Sequence, residues 1–281
     1  MKQSTPIEVA KPLAVAKPLA VAMPLDCYSS VDGYYPTYQE SNEAAQYMNE
    51  GSLLIPYGES ADPDNSLLPP SVRMAFVRKV YGLLSLQLLL TFSVSLLFCL
   101  HAPTRDFVLS SPSLLLTSCI LSFVTICALM CYARSHPINI ILLFVFTLLE
   151  SHLIGTVCAF YYSSGQGAIV LQAVGLTMAV FLALTAFTFQ SKIDFSLMGG
   201  FLGSALTLLL LWSSIQMLFG YVPGAIYSLI SAFVFCGYIV YDTFVLLEKL
   251  GPDDYVFACL SLYLDIINLF LDILRLLSRD D

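Results

Sequence analysis

Four acidic side chains lie inside otherwise apolar stretches of this 281-residue chain: Glu150, Asp242, Asp265 and Asp272. A charged group at the centre of a membrane-spanning helix costs about 2.5 to 3.5 kcal/mol on insertion scales, so acids kept there point to ion or proton chemistry. Asp242 and Asp265 flank a turn at 250–254, eight residues before it and eleven after it. At about 1.5 Å per residue they stand roughly 12 and 16 Å into a helical hairpin, at nearly one depth on adjacent antiparallel helices. Two carboxyl groups that meet in a low-dielectric interior resist ionising together and share a proton, which makes the pair a pH-sensitive latch. When both are charged, their hard oxygens suit a calcium ion in transit, so the same two residues are the candidate metal ligands.

Asp265, Asn268 and Asp272 follow one another at i, i+3 and i+7, which places them on one face of a helix whose other faces carry Ile266, Ile267, Phe270 and Ile273. A polar stripe of this kind faces a bundle interior rather than lipid. Asn268, Asp272 and Glu150 are therefore candidates for the gate or the pathway. The plainer readings are that Asp242 and Asp265 are protonated groups packing two helices, and that Asp272 forms an interfacial ion pair with Arg275, one turn on. His101 and His136 fall in connecting loops and are read as solvated.

The elements that must position these residues are membrane helices. The chain is 58% hydrophobic and 11% charged, with mean hydropathy +0.80, which excludes an ordinary soluble domain. Seven apolar runs, at about 80–100, 114–132, 138–161, 169–189, 197–219, 226–247 and 256–277, each have the ~20 residues that cross a bilayer. "HAPTRD", "ARSHP", "YSSGQG", "QSKID", "GYVPG" and "KLGPDD" separate them. The expected fold is all-α, a polytopic helix bundle.

Residues 1–72 hold nine acids and three bases, so they supply six of the eight net negative charges. The repeat "VAKPLA VAKPLA VAMPLD" puts a proline in every sixth position, and a Pro/Tyr-rich polar stretch follows it. Residues 1–70 are expected to form a disordered cytosolic tail, without a cleavable signal peptide. Arg73, Arg78, Lys79, Arg134, Lys192 and Lys249 fall at alternate ends of the apolar runs and set the cytosolic side. Arg105, Arg275 and Arg279 run against that pattern, which leaves the last segment as either a full span or a re-entrant one.

Seven of the eight cysteines lie in or at the ends of apolar runs without disulfide or zinc spacing, and read as small buried hydrophobes. "GGFLG" at 199–203 offers small residues for close helix packing. No Walker loop, HExxH, GxSxG or dinucleotide fingerprint occurs. Intramembrane aspartyl proteases carry GxGD around the second aspartate, whereas Leu262, Tyr263 and Leu264 precede Asp265. The chain is read as a non-enzyme without a cofactor.

"VRMAFVRKVYGLLSLQLLLT" (72–91), "HPINIILLFVFTLLE" (136–150), "TFQSKIDFS" (188–196) and "FCGYIVYDT" through "GPDDYVFACLSLYLDIINLFLDILRLL" (235–277) resemble the Bax inhibitor-1 family, most closely the Golgi anti-apoptotic branch of the lifeguard proteins. The likeness covers about 200 residues, so 71–281 is taken as the transmembrane domain. It implies a central helix wrapped by the others, and a pH-sensitive calcium leak in Golgi or endoplasmic reticulum membranes that lowers store calcium and inhibits apoptosis. The sensor aspartates match Asp242 of "YDT" and Asp265 of "LYLDIIN". Phe244 stands where relatives often carry Gln or His, and Asp272 where they are usually not acidic. The expected partners are the lipid bilayer, calcium ions, apoptosis regulators or other calcium channels, and a second copy of the chain, with no nucleic acid. A non-conducting adaptor that binds apoptosis regulators or other channels is the alternative.

Overall fold

A computed structural model describes residues 70–219 and 224–278. The helices are α1 (Pro70–Leu100), α2 (Ala102–Ser110), α3 (Pro112–Tyr132), α4 (Ile138–Ser163), α5 (Gly167–Gln190), α6 (Met198–Leu218), α7 (Ala225–Glu248) and α8 (Tyr255–Leu277), with a 3-10 turn at Pro252–Asp254 before α8. Among the described residues seven helices, all but α2, are long and apolar enough to cross a membrane. Proline opens α1 and α3 and stands second in α2, where its missing N–H has no intrahelical partner to lose. Gly165, with φ +83°, makes the turn from α4 to α5, a backbone region that glycine enters without steric cost.

α8 is the axis of the bundle. Of its apolar window 72% is buried, against 11–39% in the other spans, and α1, α4, α5 and α7 pack around it. Phe257 is its one exposed residue. α3 lies outside α4, and α6 lies outside α7.

The structure departs from the sequence reading at two places. α1 starts ten residues before the apolar run, because Arg73, Arg78 and Lys79 continue the helix beyond the stretch that hydropathy can detect. The connector "HAPTRD" is the start of a helix, α2, held by Val108 where it packs with Phe98 and Ala159. The last segment, left as either a full span or a re-entrant one, is a single unbroken helix, α8, from Tyr255 to Leu277. The tail assigned to 1–70 lies, except for Pro70, outside the described residues.

Apolar burial drives membrane helices together weakly, so close approach and hydrogen bonds decide the packing. A Cβ on Gly155 would meet Phe98 Cδ2 at 2.9 Å, which shows how closely α4 approaches α1. In "GGFLG" only Gly199 has this role, packed on Tyr241, whereas Gly200 and Gly203 face open space. Thr91 Oγ1 lies 2.8 Å from Tyr263 Oη and 3.1 Å from Ser151 Oγ, joining α1, α8 and α4 in the core. Gln87 Nε2 donates to Thr147 Oγ1 at 3.0 Å one turn away. At the α7–α8 turn, Arg134 Nε and Nη2 both donate to Asp254 Oδ1, at 3.1 and 3.0 Å. Asn139 Nδ2 donates to Tyr255 Oη at 3.1 Å, and Lys79 Nζ stands 3.3 Å above the centre of the Tyr255 ring.

These contacts set an expected order of stability. Tyr263→Phe should lower unfolding free energy in detergent by about 1 kcal/mol, the scale of a hydrogen bond between membrane helices. Gly155→Val should cost more, about 1 to 3 kcal/mol, because Phe98 and the α1 backbone have to shift. Thermal unfolding that ranks the two variants the other way would show that the α1–α4 approach is loose.

Candidate functional site

The short turn after α7 makes α7 and α8 an antiparallel pair, and the polar residues of both line their seam. On α8 these are Ser261, Asp265, Asn268 and Asp272, spaced four, three and four; on α7 they are Ser228, Ser231, Tyr238 and Asp242. The Asp242 carboxyl lies close to both the Asp265 carboxyl and the Ser261 hydroxyl. Tyr238 stands close to both acids. Asp265 is 6% exposed, and its Oδ2 meets no donor. Ionised carboxylates are acceptors only, so two of them in contact require a proton or a cation between them.

Further along the seam, Asp272 is 2% exposed. Arg275 Nη1 donates to its Oδ1 at 3.3 Å, and Ser231 lies within hydrogen-bonding reach. The expected ion pair is present, with the acid enclosed among the helices and the more exposed arginine reaching in to it. Asn268 uses its Nδ2 on the Leu264 carbonyl of its own helix, at 2.8 Å. Ser228 Oγ on α7 is buried without a partner.

Glu150 does not join this seam. It points from α4 toward α3, where Ser122 Oγ donates to its Oε1 at 2.5 Å. The neighbouring His152 ring stands edge-on to Phe98, 5.7 Å between centres, with its Nδ1 buried and unpartnered. His101 and His136 are exposed, as expected of loop residues.

Beside the turn end of the seam, the α5–α6 connection and the end of α7 border an open pocket of about 740 Å³ with mixed polar and apolar lining. Phe244 lines it and packs edge-on against Phe195 at 5.7 Å, with Lys249 Nζ 5.6 Å from its centre. Ser196 donates through its hydroxyl and its backbone N–H to Asp194 Oδ1, and these bonds hold the Asp194 carboxyl below its usual range. An aromatic residue after "YDT" thus puts a ring where an amide or imidazole would be polar.

Among the described residues no group of three or more His, Cys, Asp or Glu gathers at a point. A cation in the seam would have two carboxylates and neutral hydroxyl oxygens, fewer hard ligands than the six to eight of a tight calcium site, which suits passage rather than residence. Ser261, Ser231, Ser228 and Tyr238 escaped the sequence reading. Hydroxyls are common in membrane helices, and only their shared register with the aspartates sets these four apart.

Comparison with known proteins agrees with this architecture. The family model "Inhibitor of apoptosis-promoting Bax1" matches residues 73–281. A "BI1-like protein" of Arabidopsis thaliana is 46% identical over 75% of this chain and 82% of its own length. Mouse "Protein lifeguard 4" is 44% identical, and the "Golgi anti-apoptotic protein" of vaccinia virus strain Lister 46%, each over 74% of this chain and 86% of its own. With the family's model spanning every described membrane helix and its relatives matched over most of their length, this chain belongs to the Bax inhibitor and lifeguard family of multi-pass membrane proteins.

Proposed function

We propose that the chain is a pH-sensitive calcium leak pathway of Golgi or endoplasmic reticulum membranes, with its N-terminus in the cytosol, and that it lowers store calcium and restrains apoptosis without catalysing a reaction. The observation that carries this reading is the contact of the Asp242 and Asp265 carboxyls inside the bundle. The vaccinia relative, a Golgi anti-apoptotic protein, supports a Golgi placement and the link to apoptosis.

A proton shared by the pair holds α7 against α8 and closes the seam. Its loss leaves two like charges in contact, worth about 4 kcal/mol at 4 Å and an effective dielectric of ~20. A few kcal/mol is enough to shift a two-state packing from mostly closed to mostly open. Calcium then takes the place of the proton, and Asn268 and Asp272 continue the polar face along α8. Arg275 is the positive charge a cation meets at the far end. Glu150, held by Ser122, acts on the α3–α4 contact rather than on the ion.

Calcium flux into liposomes holding the purified chain should rise between about pH 6 and 8, since the pair opens as its proton leaves. Asp242→Asn or Asp265→Asn should abolish or shift that dependence, and the double variant should add little. Equal flux from all four proteins at every pH would leave a non-conducting adaptor as the better account. Removal of residues 1–70 should leave flux unchanged, whereas an adaptor working through the tail would lose its effect on cell death. Thermal unfolding of the same four proteins should show non-additive losses, with a coupling of about 0.5 to 3 kcal/mol between the two positions.

A further inference from the structure

The end of the α7–α8 seam away from the turn holds an acid and a base of unequal freedom. The Asp272 side chain is 3% exposed and the Arg275 side chain 39%. One bond joins them within α8, from Arg275 Nη1 to Asp272 Oδ1 at 3.3 Å, longer than the usual 2.7 to 2.9 Å of a charge-assisted bond. Arg134 shows the contrast, since it gives Asp254 two donors, at 3.1 and 3.0 Å. The arginine is the partner free to leave, because its long side chain can reach the membrane surface while the carboxylate is enclosed.

Around Asp272 stand oxygens that the arginine does not use. Ser231 of α7 lies close to its carboxyl. In an antiparallel pair, three residues back along α7 match three residues onward along α8, so Ser228 stands level with Arg275. Ser228 is 1% exposed, and its Oγ has no hydrogen-bond partner. Ser85, Ser93 and Ser151 turn their hydroxyls back onto the carbonyl four residues earlier, and Ser228 does not. A buried carboxylate with two hydroxyl oxygens beside it is a partial set of hard ligands for a divalent cation.

We infer that Asp272, Ser231 and Ser228 form an outer calcium site that the Arg275 guanidinium fills as a tethered cation, which makes Arg275 a gate in series with the Asp242 and Asp265 pair. This rests on the reading of the seam as a cation pathway. Guanidinium and calcium are both positive and compete for one carboxylate, so calcium enters as Arg275 swings out toward the headgroups. Water from the open end completes the shell of the ion, since these oxygens fall short of six to eight. The inner pair answers to protons, and the outer pair to calcium at the mouth.

The test is calcium flux into liposomes holding the full chain, at about pH 8, where the inner pair is open. Arg275→Gln should raise the flux about tenfold, the scale on which a local charge alters ion entry, without moving the midpoint of the pH dependence. Arg275→Lys should return the flux to the wild-type rate, because a single contact needs a charge and not a planar fork. A conducting wild type matched in rate by Arg275→Gln would overturn the inference and leave the pathway reading standing. Thermal unfolding of the purified proteins in a calcium titration gives a readout without conduction. Arg275→Gln should show a rise in Tm at about tenfold lower calcium than wild type, and adding Asp272→Asn should abolish it. A rise that survives Asp272→Asn would put the calcium elsewhere and overturn the site. That rise without flux from any of the proteins would sink the pathway reading and support the site. Should Arg275→Gln not fold, Asp272→Asn alone decides: it should lower calcium flux relative to potassium flux, and an unchanged ratio overturns the inference.

Discussion

A helix enclosed on all sides by other helices is the constraint on which the rest depends. Phe257 is the one exposed residue of α8, and its Tyr263, Asp265 and Asp272 are buried in protein. In hydrocarbon every polar group has to find a partner within the structure. That is why α1, α4 and α7 each present hydroxyls, amides or a carboxyl to α8: Thr91 and Ser151 to Tyr263, Asp242 to Asp265, Ser231 to Asp272. The outer helices can be smooth and apolar because the central one carries the polarity inward.

Two polar systems meet on α8 and remain separate. The cluster of Gln87, Thr91, Thr147, Ser151 and Tyr263 is made of neutral groups with hydrogen bonds of ordinary length, and it ties three helices together. The seam with α7 is made of acids whose contact is incomplete without a proton or an ion. At the turn, Arg134, Asn139 and Lys79 hold the start of α8 to the α3–α4 connection and to α1. The hairpin is thereby anchored at one end and freer at the other, where Arg275 and Ser278 are the last polar contacts.

The bundle's outer face is unequal as well. α6 is buried over only 11% of its apolar window, held to α7 by the close approaches at Gly199 and at Gly237, where a Cβ would meet Leu202 Cδ2 at 2.8 Å. α1 and α5 leave between them an apolar groove whose lining includes the buried Ile266, Ile267 and Phe270 of α8. Small residues close one gap between helices while large side chains hold another open.

Number and type of the membrane helices were legible in the sequence, because hydropathy over ~20 residues is a local property, whereas the charged first turns of α1 lie beyond what it detects. The equal depth of Asp242 and Asp265 was legible too, since a short turn and a constant rise leave little freedom. α2 was not, because nine residues of mixed polarity become a helix only where Val108 finds Phe98 and Ala159. Nor was the direction of Glu150, which depends on how α4 is rotated about its axis and therefore on which neighbour offers a donor. The enclosure of Asp272 and the serines opposite the acids belong to the same class. Composition and spacing determined that this chain crosses a membrane with carboxylates inside it, and only the rotation and packing of helices decided which of those carboxylates meet.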